Sequence, residues 1–165
     1  MAKLTAENLI GTRGEAIFVA KIMAFCGRDL PYFDPHFLGD KFPIFDHIVN
    51  VVGTASIEAF FFAQTKTTSR RYVIRKDGSR FLNVALTRDE WNAMVAYPGP
   101  SYLFGIDEIG ERAYVVAADR IVKSGFASMP TDYEVDCQTL NQLHDEVRGY
   151  WSSHDRSFTS RFSIK

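Results

Sequence analysis

The run Phe60-Phe61-Phe62-Ala63-Gln64-Thr65-Lys66-Thr67-Thr68 constrains the fold more than any other stretch of the chain. Its front half is apolar and aromatic, the composition of a buried strand. Residues two apart in a strand share a face, so Gln64 and Lys66 point the same way. A buried ammonium is costly unless an anion meets it. The sequence therefore places a carboxamide and an ammonium side by side at the end of a core strand, and calls for a negative partner supplied by the protein or by a ligand.

The neighbours of this strand are readable from the same rules. Ile44 to Gly53 carries the branched residues of a strand. A turn around Gly53-Thr54-Ala55-Ser56 leads from it into the Phe60 strand, so the two are expected to pair as an antiparallel hairpin or meander. That pairing brings Asp46 to the same end of the sheet as Gln64 and Lys66. Upstream, residues 3–10 are expected to form a short helical turn. Helical spacing then predicts a helix from Thr12 to Cys26, stopped by Gly27, with Glu15 in its first turn, where capping alone would explain a carboxylate. Residues 28–43, with Pro31, Pro35, Gly39 and Pro43, read as a loop.

Downstream, residues 69–80 gather Arg70, Arg71, Arg75, Lys76 and Arg80 against Asp77 alone, with a turn at Asp77-Gly78. An exposed solvated hairpin and a phosphate-contacting flap account for this pattern equally well. Phe81 to Leu86 reads as a short strand. Thr87 and Glu90 form a capping box that opens a helix through Ala96. Two apolar strands follow, Ser101 to Ile106 and Arg112 to Ala118, joined by a turn that gives Asp107 and Glu108 a structural reading. After a loop containing Pro130, Cys137 to Trp151 reads as a helix with Leu140, Leu143, Val147 and Trp151 on one stripe. Phe158 to Lys165 alternates weakly as a last strand. The order of helix, strands, helix, strands, helix predicts a mixed α/β layered fold. The 14 phenylalanines predict a large aromatic core in which Trp91, Tyr97 and Tyr102 are packing residues.

The formal net charge of −1 offers no global basic field, so any nucleic-acid site must arise from local clustering. Cys26 and Cys137 stand far apart and outside any CxxC or His-paired pattern, so reduced thiols are expected, with neither disulfide nor zinc. The four histidines, His36, His47, His144 and His154, show no ligand spacing. With no signal-like run at residues 1–8 and no segment of membrane-spanning length, a cytoplasmic protein is expected.

The residues that carry chemistry are Glu15, Asp46, Gln64 and Lys66. Carboxylate and carbonyl oxygens suit a hard cation such as Mg²⁺, which polarises a phosphoryl oxygen and acidifies a bound water. A neighbouring lysine can position that water and stabilise the charge that develops. Asp40 is the rival for the metal carboxylate; Asp46 is preferred because it stands within the strand signal.

An Asp strand followed, after a short loop, by a strand ending in Gln64-Thr65-Lys66 resembles the PD-(D/E)xK nuclease superfamily, in its Mrr-like branch where Gln replaces the second acid. The layout resembles more closely a bacterial family of uncharacterised domains assigned to that superfamily. Its marks here are Gly11-Thr12-Arg13-Gly14-Glu15 on the first helix, Phe45-Asp46-His47-Ile48-Val49, the aromatic strand ending in Gln64-x-Lys66, Pro100 to Glu108, and Ala113-Tyr114-Val115. The resemblance spans about residues 11–120 and implies a restriction-endonuclease-like core of mixed sheet and flanking helices there; with a helical extension at 121–165 that carries no part of the resemblance, one nuclease-like domain over 1–165 is expected. It implies metal-dependent hydrolysis of DNA, in phage defence or DNA repair. Asp46, Gln64 and Glu15 would hold Mg²⁺ or Mn²⁺, Lys66 would position the water, and Arg70, Arg71, Arg75 and Lys76 would contact phosphates. Target recognition would come from a homodimer or a partner subunit, with no membrane involved. The alternative of another class is a catalytically silent module that binds nucleic acid or protein, favoured by Gln64 in place of an acid. A third is an unrelated α/β domain whose Lys66 meets a small anion.

Overall fold

The computed structural model describes residues 5–39, 41–53 and 58–153. Among them, eight strands and three helices form a mixed α/β fold. Five strands make the main sheet, in the order β1-β2-β3-β6-β7: β1 (Phe33–Phe37), β2 (His47–Val51), β3 (Phe60–Thr68), β6 (Ser101–Asp107) and β7 (Arg112–Ala117). All neighbours are antiparallel except β3 and β6, which run parallel. A parallel pair needs a crossover. Here it carries β4 (Val73–Ile74), β5 (Arg80–Leu82) and α2 (Arg88–Val95). Strands β4 and β5 form a small second sheet with β8 (Met129–Pro130).

Strand β3 is the hinge of the architecture, as its sequence implied, with a partner on each edge and a core against each face. Phe61 and Ala63 are fully buried in one core with α1 (Ala6–Ile22) and α3 (Cys137–Ser153). Phe62 packs on the opposite core with Phe45, Tyr97 and residues around α2. Stacked and edge-on ring contacts run through both cores, among them Phe33–Phe61 and Phe18–Phe104. The apolar stripe of α3 lies in the first core, through Leu140, Leu143 and Val147.

The first helix is one unbroken element from Ala6, capped by the Thr5 side chain, rather than a turn followed by a helix from Thr12. Gly14 explains how closely it packs. A Cβ at this position would fall 2.6 and 2.7 Å from Cγ2 and Cβ of Thr67 and would collide with its Oγ1. Only glycine lets α1 lie this near β3. Arg13, one residue earlier, reaches Glu108 and Glu111 on the β6–β7 turn at 2.9 Å each.

Two expectations need correction. The proline-rich stretch 28–43 is not all loop: it holds β1, an edge strand in which Pro35 needs no ladder partner on its open side and Phe33 is fully buried. The cysteines are not reduced: Cys26, just beyond α1, and Cys137, at the start of α3, form a disulfide with their Cα atoms 5.4 Å apart. Packing of α1 and α3 on the same sheet face brings together residues separated by 111 positions. No helix among the described residues is long and apolar enough to cross a membrane.

Other elements follow expectation. The capping box at Thr87 and Glu90 is formed, the Asp77-Gly78 turn closes the β4–β5 hairpin with Gly78 at positive φ, and β2 and β3 pair antiparallel. Asp40, the 54–56 turn and the tail at 158–165 lie outside the described residues.

Two substitutions test this packing. Gly14→Ala is expected to destabilise the protein by about 1–3 kcal/mol in denaturant unfolding, because Thr67 cannot move its Cβ away. Reduction, or Cys137→Ser, is expected to remove about 4–5 kcal/mol on the chain-entropy account of a loop this long, read as a lower unfolding midpoint.

Candidate active site

The end of the β2–β3 pair is held by one carboxylate. Asp46 stands immediately before β2, opposite Gln64 in the register. Its Oδ2 accepts from the Thr65 backbone N–H at 2.7 Å, the Thr65 hydroxyl at 2.7 Å and the Gln64 Nε2 at 2.9 Å. Gln64 Nε2 also donates to the Thr65 carbonyl at 3.1 Å. Gln64 therefore turns its amide nitrogen, not its carbonyl oxygen, toward Asp46. Because all three bonds fall on Oδ2, Oδ1 is the oxygen that Asp46 can offer to a ligand.

Beside it opens a cleft of about 310 Å³ between the first turns of α1 and the end of β3. Glu7, Gly11 and Glu15 line one wall, spaced at i, i+4 and i+8 on one face of α1. Asp46, Lys66 and Arg70 face them from the sheet end. Three of the four sequence-selected site residues, Glu15, Asp46 and Lys66, thus share one cavity, and Arg70 joins them from the basic segment. Gln64 is not part of the lining. Glu7 was not singled out in the sequence; its place eight residues before Glu15 is the signal that could have found it.

The anion that the buried-strand argument required for Lys66 is Glu90. Lys66 lies on the same face of β3 as Phe62, toward α2, and its Nζ is 3.1 Å from Glu90 Oε1. Glu90 Oε2 accepts from the Thr87 N–H and the Thr87 hydroxyl, both at 2.8 Å. The Thr87 backbone bond above all, then the Thr87 hydroxyl and Lys66, holds the Glu90 carboxyl below its ordinary range. The sequence showed Glu90 only as half of a capping box.

The basic segment leaves the cleft along the small sheet. Arg70, Arg71, Arg75, Lys76 and Arg80 are all exposed. The ion pairs of the described residues use Arg13, Lys66, Arg88, Arg112 and Arg120, and none of these five. Arg75 stacks on Phe81 at 3.8 Å and Arg80 on Tyr72 at 4.5 Å, which limits where each guanidinium can point. Tyr72 ties this hairpin to the main sheet. Its hydroxyl donates to Asp107 at 2.7 Å and lies 3.0 Å from the hydroxyl of Tyr114, which also accepts from Arg80. Burial first, then these two partners, pushes the Tyr72 phenol up. Asp107 is structural, as its turn position suggested, since its other oxygen accepts from Gly110 N–H.

No group of three or more His, Cys, Asp or Glu side chains among the described residues is arranged to hold a metal ion. The cleft's donor set is three carboxylates, Glu7, Glu15 and Asp46, with no Cys or His beside them among the described residues, unlike the Cys and His set of a closed zinc site. It suits Mg²⁺, which keeps several waters and takes one or two carboxylates plus substrate oxygens. Compared with known proteins, the chain matches no family model, no curated protein and no solved structure.

His47, next to Asp46, is buried in the first core against Phe18, and its Nδ1 has no hydrogen-bond partner among the described residues. Burial lowers its pKa from the ordinary 6.5, against the opposing pull of the Asp46 charge. The unfolded chain therefore takes up this proton first as pH falls. Stability is expected to be full above pH 6.5 and to decline below it. His47→Phe should flatten that decline in unfolding curves measured across the same range.

Proposed function

We propose that the cleft is a metal-dependent phosphodiester-hydrolysing site acting on DNA, within a restriction-endonuclease-like core. The observation that carries this reading is the meeting of Glu7, Glu15, Asp46, Lys66 and Arg70 in one cavity, three carboxylates with two cations. A phosphodiester needs this division: anionic oxygens for a divalent cation, and cationic groups for its own charge. Asp46, through Oδ1, and Glu15 would hold the cation, while Gln64, outside the cleft lining, would hold the Asp46 carboxylate in place through its amide. Bound there, Mg²⁺ would polarise a phosphoryl oxygen and lower the pKa of a water ligand.

The chain's own residues do the rest. The Asp46 carboxylate is fixed by its bonds to β3, so it presents its free oxygen without reorganising. Lys66 and Arg70 neutralise charge on the phosphate as it grows in the transition state. Arg71, Arg75 and Lys76 hold successive phosphates along the hairpin, an interaction that positions the nucleic acid without reading sequence. Among the described residues no aromatic side chain lines the cleft, so none of them offers a stacking surface for a base there. Target choice would then fall to a second copy or a partner subunit.

One observation favours a second reading, a catalytically silent binding module. The polar groups of the motif are already satisfied within the protein: Asp46 Oδ2 by Gln64 and Thr65, and Lys66 by Glu90. Such a module would keep the basic hairpin and dispense with the metal.

Cleavage of supercoiled plasmid and of single-stranded DNA with Mg²⁺ or Mn²⁺ separates the two. The nuclease reading predicts metal-dependent cutting that falls at least roughly 100-fold in Asp46→Ala and in Lys66→Ala, both folded. Cutting that survives both substitutions contradicts it. The silent module predicts no cutting, with DNA binding whose log affinity falls with log salt at a slope of about −3 to −4 if Arg70, Arg71, Arg75 and Lys76 each neutralise one phosphate.

A further inference from the structure

Lys66 contributes to the cleft, yet its ammonium is held by a carboxylate that does not line the cleft. That carboxylate cannot drift, because the capping box fixes one oxygen of Glu90 with two hydrogen bonds from Thr87 and presents the other to Lys66. The pair is only partly screened from water, with side-chain exposures of 33% for Lys66 and 46% for Glu90. An ion pair this open is weak, and a lysine on four methylenes can leave it. Lys66 thus stands between two places for an anion: Glu90 on the α2 face, and the cleft that Lys66 itself lines.

We propose that Glu90 is the resting counter-ion of Lys66 and sets the anion affinity of the cleft, so that an incoming phosphate group must take the ammonium away from it. The inference rests on the reading of the cleft as a phosphate site. Glu90 touches no substrate in this account; it acts through Lys66. Its geometry is dictated by helix capping, which gives it a fixed position at no further ordering cost. Competition from a fixed carboxylate discriminates against singly charged or weakly held anions, since only a group that binds Lys66 better than Glu90 does can recruit it.

Glu90→Gln tests this cleanly, because glutamine also serves as the third residue of a capping box and leaves α2 capped while removing the charge. Binding of a short fluorescein-labelled DNA duplex, in EDTA at low salt, is measured for the wild type, Glu90→Gln, Lys66→Ala and the double variant, with thermal unfolding as the check on folding. Glu90→Gln is expected to bind about two- to five-fold more tightly than the wild type, the range an exposed ion pair allows. The gain should vanish when Lys66→Ala is present in both members of the comparison.

Equal or weaker binding by Glu90→Gln, in a protein where Lys66→Ala still weakens binding, overturns the counter-ion role and leaves the phosphate site standing. A gain that persists without Lys66 also overturns it, because the effect would then be general electrostatics. If neither the wild type nor Glu90→Gln binds the duplex, both the counter-ion role and the phosphate reading on which it rests fall together.

Discussion

Everything in this structure depends on β3 being occupied on all four sides. It has a strand at each edge, α1 and α3 against one face, and the α2 side against the other. Its first residues meet that demand with aromatic rings. Its last residues, Gln64 to Thr68, cannot, and each instead finds a specific partner: Asp46 for Gln64 and Thr65, Glu90 for Lys66, the bare backbone of Gly14 for Thr67, and the Arg70 N–H for Thr68. The cleft exists because α1 approaches β3 at Gly14 but the sheet end and the turn toward Arg70 leave space under its first turns.

The site and the packing are therefore one arrangement. Gly14 brings α1 down, and the next residue, Glu15, enters the cleft as a consequence. Gly11, one turn earlier, leaves open space where a side chain would stand. The Gly-x-x-Gly-Glu sequence can thus be read physically: one glycine for contact, one glycine on the cleft wall, and a carboxylate placed by the first. Tyr72 and Asp107 do the same for the basic hairpin, fixing its root to the end of β6 while its cations remain exposed.

What the sequence made legible was local or periodic. The period of two in β3 placed Gln64 and Lys66 on one face, and the spacing of Thr87 and Glu90 announced the cap that is present. Antiparallel pairing from a short turn brought Asp46 to Gln64. What escaped was set by tertiary proximity. The disulfide joins residues whose separation carries no local signal, and Glu90 gave no sign that it would meet Lys66 across 24 positions. The edge strand β1 was hidden by Pro35, which is unfavourable in a central strand and harmless at an edge. Strand β8 is two residues long and has no pattern to read.

The proposed function turns on whether Asp46 and Glu15, from facing walls of the cleft, share a divalent cation beside Lys66 and Arg70. The most direct test is titration of the ¹⁵N-labelled protein with Mn²⁺, following paramagnetic broadening of amide signals. The account predicts selective loss of signals from residues 11–15, 46 and 65–70, reversed by excess Mg²⁺ and absent in Asp46→Asn. Broadening centred elsewhere, or the same broadening in Asp46→Asn, would contradict it.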